Sequence, residues 1–399
     1  MNLVKHISII NVASQNLWRH KLKTLSVVAP LFLVMALYGA MSFTSQGLLK
    51  DAQGALDFTP DILVQQLTGG RISKISSAYQ KKIEKIKGVK SVVPRVWGYI
   101  PVSLYLKDRK DVIYTFMGID VTRMPVSPRI ALSLEEGRFL RDKDQRKIVV
   151  GRGFSKPFMV NAGDRVRFKN LWGEEREYEV AGIFTSAVSI YTAGLILAPM
   201  DDARSFFGYE SDEASDLCVY LDYPDSAPAL AGKISSDMPG LRTLTKESIS
   251  EINKQVFGRK SGIFQILWMI LLLTSILIAL AQAFNITTDM KREVGILKAL
   301  GWSVLDVIEM KSLESLTMGL LATFGGLAAA VWYLLAGAPG IKDYFLGWSQ
   351  VYPDFPVPLC VDFNTVLLMS AIGIFPILAA TIIPCWIIGV IDPDKAVRI

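Results

Sequence analysis

The residues that usually carry chemistry are scarce in this chain. It has only two histidines, His6 and His20, and three cysteines, Cys218, Cys360 and Cys385. None has a second metal-type ligand at CxxC or HExxH spacing, so neither metal nor thiol catalysis has a motif behind it. Cys218 sits in an alternating, strand-like run and Cys385 near the end of an apolar stretch, where both read as small buried residues. A Cys218 to Cys360 disulfide is left open. The acids Glu135, Glu136, Asp142 and Asp144 lie among lysines and arginines and read as a solvated face. Gly151-Arg152-Gly153 is a lone GxG that reads as a turn, and no GxxxxGK[ST] phosphate loop occurs. The chain is therefore expected to hydrolyse no ATP itself and to hold no metal or cofactor of its own.

What dominates instead is apolar sequence. Of 399 residues 51% are hydrophobic, and the mean hydropathy is +0.34. All 43 basic and 37 acidic side chains fall outside four windows, 24–49, 261–288, 315–341 and 363–391. A bilayer core of about 30 Å needs ~20 apolar residues in a helix, because nothing there hydrates a free backbone group. Each window is long enough, which excludes an ordinary water-soluble enzyme. The first is too long for the apolar region of a signal peptide and has no small-x-small cleavage site before Met41, so it is expected to stay as an anchor.

Lysine and arginine in short flanks set orientation. Lys5, Arg19, Lys21 and Lys23 precede the first window; Lys291, Arg292, Lys298 and Lys311 lie between the second and third; Lys395 and Arg398 follow the fourth. Between the third and fourth only Lys342 stands, beside Asp343, Asp354 and Asp362. Both termini are thus expected inside and the long stretch from about Ser45 to Lys260 outside. The net charge of +6 fits this topology on anionic lipid, with no nucleic-acid partner. Leu3, Ile7, Ile10, Leu17, Trp18 and Leu22 recur at helical spacing, and with Trp18, Arg19, Lys21 and Lys23 before the bilayer they suit an amphipathic helix along the inner interface.

The long stretch reads as mixed α and β. Ile72, Ile75, Tyr79, Ile83 and Ile86 follow helical spacing up to Gly88. Val96, Ile100, Val102, Leu104 and Leu106 share one parity of a strand, Lys107 to Asp111 turns the chain into a second strand over Val112 to Ile119, and Leu217, Val219 and Leu221 mark another. A hairpin is expected at 166–168 and 178–180 around Gly173. Leu48, Leu49, Ala52 and Leu56 extend the first span, and Ile249, Ile252, Val256 and Phe257 lead into the second, so the two extensions are candidates to pair as a stalk. The expected fold class is an α-helical membrane protein with four transmembrane helices plus a large mixed α/β extracytoplasmic domain inserted between helices 1 and 2. Its divisions are 1–24 (cytoplasmic amphipathic helix), 25–46 (helix 1), 47–260 (α/β domain), 261–288 (helix 2), 289–312 (cytoplasmic connection), 313–337 (helix 3), 338–362 (outer loop), 363–390 (helix 4) and 391–399 (cytoplasmic tail).

The connection runs Met290-Lys291-Arg292-Glu293-Val294-Gly295-Ile296-Leu297-Lys298-Ala299-Leu300-Gly301-Trp302-Ser303. It reads as a short helix with Val294, Leu297, Ala299 and Leu300 as apolar contact points and Gly301 as its stop. This run resembles the signature of FtsX-like, MacB-type permeases, the membrane subunits of one class of ABC transporter, approximately R-E-x-G-x-L-x-A-x-G. Arg292, Glu293, Gly295, Leu297, Ala299 and Gly301 match in register. Asn16 to Thr24 resembles the family's basic N-terminal helix. Glu136-Gly137-Arg138, Val149-Val150-Gly151 and Ala162-Gly163-Asp164 resemble landmarks of its outer domain. Pro384 with Asp392 to Arg398 resembles its C-terminal ending, with Val397 where leucine is usual.

The resemblance implies a dimer with a second copy or a paralogue, in a bacterial cytoplasmic membrane. It implies an ABC ATPase subunit, carrying ATP and magnesium, which engages the segment Lys291, Arg292, Glu293, Gly295, Leu297, Ala299 and Gly301. Only about 24 residues precede the first window, so this ATPase is expected in trans. Arg292 and Glu293 would meet its groove through polar contacts while Leu297 packs into it, and nucleotide-driven closure would travel along the first two spans to the outer domain for export or extraction of a substrate. A periplasmic adaptor or lipoprotein is a further implied partner. The alternative is a non-transporting regulator of the same architecture, one that activates an extracytoplasmic partner.

Overall fold

The structure is a computed structural model and describes residues 2–103, 111–123, 132–186, 188–258, 262–285, 295–298, 300–342 and 355–390. Leu104, Leu106 and the expected turn residues 107–110 lie outside the described residues, as do the C-terminal motif 392–398 and Lys291, Arg292, Glu293, Val294 and Ala299. Two compact units are present. One comprises 1–47, 259–341 and 359–399, and the other 48–258 with 342–358.

In the first unit, α1 (Asn2–Arg19) leads through a turn at His20 into α2 (Lys21–Gly54), with α8 (Gly262–Asn285), α9 (Val304–Leu335) and α10 (Phe363–Val390) completing it. Among the described residues three helical segments are long and apolar enough to cross a membrane: Lys21–Phe58, Val304–Leu335 and Phe363–Ile387. In α8 the apolar stretch is shorter, Gln265–Ala281. α9 starts at Val304, where Ser303 and Asp306 form a capping box. The helices meet through small residues. A Cβ on Gly326 would lie 2.7 Å from Met35 Cβ and 2.9 Å from the Phe32 carbonyl oxygen, and one on Gly373 would overlap Thr323. Two hydroxyls also bridge helices: Ser315 Oγ lies 2.7 Å from Thr381 Oγ1, and Ser275 Oγ donates to the Ile372 carbonyl oxygen at 2.6 Å.

Among its described residues the second unit has an eleven-stranded sheet, a separate two-stranded pair and helices. In chain order its elements are β1 (Ile62–Thr68), β2 (Arg71–Ser73), β3 (Ile75–Ser76), α3 (Ser77–Ile83), β4 (Val89–Ser103), β5 (Asp111–Ile119), β6 (Leu132–Gly137), β7 (Lys147–Gly151), α4 (Arg152–Phe158), β8 (Arg165–Lys169), β9 (Glu175–Ser186), β10 (Leu195–Pro199), α5 (Met200–Phe207), β11 (Glu213–Ala214), β12 (Asp216–Leu221), α6 (Ala227–Asp237), β13 (Leu241–Thr245) and α7 (Lys246–Phe257). The strand path is β13-β1-β12-β4-β5-β10-β7-β9-β6, with β2 on β1 and β8 on β9, while β3 and β11 form a separate pair.

The long strand β4 joins two hydrophobic cores. Residues 89–95 pair with β12, over a core containing Ile62, Ile83, Leu217, Val219 and Ile234. Residues 96–103 pair with β5, over an aromatic core of Tyr114, Phe116, Phe154, Tyr178 and Phe206. Val96 and Ile100 point into that second core, as their shared parity requires, and Val166 pairs with Tyr178 in the expected hairpin. The helix read over Ile72 to Ile86 is corrected. Ile72 and Ile75 lie on strands, and α3 begins only after Ser76, whose hydroxyl accepts the Ala78 N–H as an N-cap. Gly88, at φ +96, then turns the chain into β4. All three cysteines are free thiols, which removes the Cys218 to Cys360 disulfide.

At the junction of the two cores the guanidinium of Arg95 grips the buried carboxylate of Asp216 at 2.8 and 2.9 Å, and the Trp97 indole N–H donates to the same carboxylate at 2.8 Å. At the N-terminal end of the unit, Asp51 in the last turn of α2 accepts the N–H groups of Ser189 and Ile190. The Asn253 amide on α7 donates to the Ala52 carbonyl oxygen at 3.3 Å, so the two extensions read from sequence do meet. α7, however, ends at Gly258 in an extended conformation instead of running on as helix into α8.

Candidate coupling site

Residues 295–298 form a helical turn whose end is fixed by Gly301 at φ +91. The Gly301 N–H donates to the Lys298 carbonyl oxygen and the Trp302 N–H to the Leu297 carbonyl oxygen, both at 3.0 Å. This is a Schellman closure, in which a left-handed residue folds the next side chain back over the helix. Its consequence is that Leu297 and Trp302 both turn inward. They pack against Val307 and Cys385 in one cluster and against Ile9, Ala13 and Met310 in another. Gly295 is buried, while Ile296 and Leu300 point outward, the latter 72% exposed. Four residues apart, they share one face.

Leu297, read from sequence as the residue that enters an ATPase groove, is half-buried against α1, α9 and α10 of its own chain. Leu300 was among the apolar positions noted, but Ile296 was missed. The available signal was Gly301, since a glycine stop predicts the inward fold of the residue after it. Of the other expected site residues, Gly295, Leu297 and Gly301 come together on this turn.

α1 clasps the start of α9 beside that turn. Lys5 Nζ lies 2.8 Å from Asp306 Oδ1, His6 Nδ1 2.6 Å from Glu309 Oε1, and Asn16 Nδ2 donates to Glu314 Oε1 at 2.9 Å. Ile9 and Ala13 fill the space between these polar pairs. α1 therefore has two apolar stripes. The one recognised from sequence, with Ile7, Ile10 and Trp18, is exposed, and the second is spent on α9. Trp18, Arg19, Lys21 and Lys23 are all exposed around the α1–α2 junction.

The α/β unit contains a polar cleft of about 500 Å³ lined by Asp120, Arg123, Arg141, Lys143, Asp202 and Arg204, among others. Its acids are held by neighbours. Arg138 grips Asp144 bidentately and holds its pKa down at about 2, while burial raises that of Asp202, whose Oδ2 accepts the Arg146 N–H. Among the described residues no group of three or more His, Cys, Asp or Glu is placed to hold a metal.

Residues 264–393 match the FtsX-like permease C-terminal family. The uncharacterized ABC transporter permease MJ1507 of Methanocaldococcus jannaschii is 21% identical over 318 residues, 77% of this chain and 76% of that protein. The lipoprotein-releasing system transmembrane protein LolC of Neisseria meningitidis serogroup B is 22% identical over 277 residues, 63% of this chain and 64% of its own. Two solved structures are also similar. The periplasmic region of MacB from Actinobacillus actinomycetemcomitans has 15% identity and a TM-score of 0.36, over 49% of this chain and 94% of that one. The extracellular domain of the noncanonic ABC-type transporter YknZ from Gram-positive bacteria has 14% identity and a TM-score of 0.34, over 47% and 100%. Residues 264–393 are thus similar to the FtsX-like permease C-terminal domain, and the relatives named here are permease and transporter membrane proteins.

Proposed function

We propose that this chain is the membrane subunit of an ABC transporter that works with a separate ATPase, and that segment 289–303 is where the ATPase engages it. The carrying observation is the two-sided turn. Leu297 and Trp302 anchor it inward, and Ile296 and Leu300 offer an apolar face outward. Arg292 and Glu293 flank that face in sequence and supply polar contacts to the same groove. ATP and magnesium belong to the partner. In this reading α8 is a fourth span and both termini lie in the cytoplasm. The α/β unit then stands outside the membrane, where hydrolysis moves it to export or extract a substrate, and the permease pairs with a second copy or a paralogue. A periplasmic adaptor or lipoprotein would act at that outer unit.

The test is recovery of the ATPase with the tagged full chain from its own membranes. A carboxylate forced into an apolar contact costs on the order of 2 kcal/mol, so Leu300→Asp should lower recovery about thirtyfold. Because Leu300 touches little of its own chain, the variant's abundance should hold. Undiminished recovery from Leu300→Asp and from Ile296→Asp would refute the docking face.

A further inference from the structure

The coupling turn is attached to more than α9. Trp302 and Leu297 reach the cluster of Ile9, Ala13 and Met310, so their inner side rests on the N-terminal helix. α1 is pinned by its three polar pairs and continues directly into α2, because the His20 N–H donates to the Asn16 carbonyl oxygen and the Thr24 N–H to the His20 carbonyl oxygen, both at 3.0 Å. α2 in turn runs unbroken to Gly54, with Asp51 bonded to Ser189 and Ile190.

From this connectivity we infer that Trp302 is a positioning residue, which ties the coupling turn to α1 so that a displacement at the turn enters the first span through the N-terminal helix. The idea rests on the docking reading above for the origin of the displacement, but the tie itself is a property of this chain alone. An indole wedged between two clusters suits the role, being large and rigid enough to touch both at once. Asp306 strengthens it, because the carboxylate that caps α9 also pairs with Lys5.

The test uses the full chain in membranes with Cys360→Ser and Cys385→Ala, since Cys385 itself packs against Trp302. Ile9→Cys places a reporter thiol at a site that is 2% exposed. Trp302→Ala should raise labelling of that thiol about tenfold by loosening α1, and Trp302→Phe should restore most of the protection. A second thiol, Lys50→Cys, lies on the exposed side of α2. Its labelling rate should change with ATP and vanadate when the ATPase is present, and Trp302→Ala should abolish that change while ATPase recovery stays normal. Unaltered protection at Ile9→Cys in Trp302→Ala overturns the inference. So does a nucleotide response at Lys50→Cys that survives the substitution. Failure to recover any ATPase with the parent chain would instead overturn the docking reading, leaving the Ile9→Cys result to decide the tie.

Discussion

Asp216→Ala should be among the most damaging single substitutions in the α/β unit. The Asp216 carboxylate is buried and receives three N–H donors, two from Arg95 and one from Trp97, at the point where β4 passes from one core to the other. Removing one partner of a fully buried ion pair costs about 3–5 kcal/mol, mostly because the remaining charge is stranded. The Arg95 side chain is 26% exposed, so water recovers part of that and the low end, about 3 kcal/mol, applies here. Asp216→Asn keeps an acceptor for Trp97 and should cost less.

A native thiol reads the result. Cys218 lies on β12, 2% exposed, and burial pushes its pKa up to about 12, so it reacts only when the strand opens. With Cys360→Ser and Cys385→Ala, the rate of Cys218 modification in the folded full chain reports the opening equilibrium. A loss of about 3 kcal/mol corresponds to roughly a hundredfold faster modification. The double variant Arg95→Met with Asp216→Leu should recover most of it, since an apolar pair leaves no stranded charge. A rate within about threefold of the parent for Asp216→Ala, or a double variant no better than the single, would refute the reasoning.

Two further outcomes follow from packing and charge. Gly326→Ala places a methyl 2.7 Å from Met35 Cβ and against the Phe32 carbonyl. Separating α2 from α9 should cost about 1–3 kcal/mol, seen as reduced membrane abundance and a lower thermal midpoint, whereas Gly232→Ala, with open space around it, should not. Asp144 has a folded pKa of about 2, below its unfolded value, chiefly through its hydrogen bonds from Arg138. Its contribution to stability is therefore present above the unfolded pKa of about 3.9 and is lost as pH falls towards 2. Between those values the thermal midpoint of the parent should fall more steeply than that of Arg138→Ala.

Much of this architecture was legible because it depends on local sequence. The cost of a charge in lipid acts on every residue of a span, so the charge-free windows stand out without any tertiary information. Strand parity likewise placed Val96, Ile100 and Val102, and the hairpin around Gly173. The errors arose where local periodicity serves two structures. Ile72 and Ile75 fit helical spacing, yet Ser76 caps a helix that can start only after them, and β-pairing takes the preceding isoleucines. α1 has one apolar stripe that reads as membrane-facing and another that packs on α9, and nothing in the first twenty residues tells them apart. The partners that decide the matter, Asp306, Glu309, Met310 and Glu314, are some three hundred residues away. The packing of Leu297 was illegible for a related reason, since its neighbours on α1 and α10 come together only in the fold.

The central claim is that nucleotide turnover on a separate ATPase changes the conformation of the α/β unit. Asn253 joins α7 to the end of α2 through the Ala52 carbonyl and is 4% exposed. The most direct measurement is the labelling rate of Asn253→Cys in the full chain purified with its ATPase, compared between nucleotide-free and ATP–vanadate conditions. The expected result is a clear difference in rate that disappears when the ATPase is omitted or when Leu300→Asp prevents docking. The same rate in both nucleotide conditions, with the ATPase bound and hydrolysing ATP, would contradict the claim.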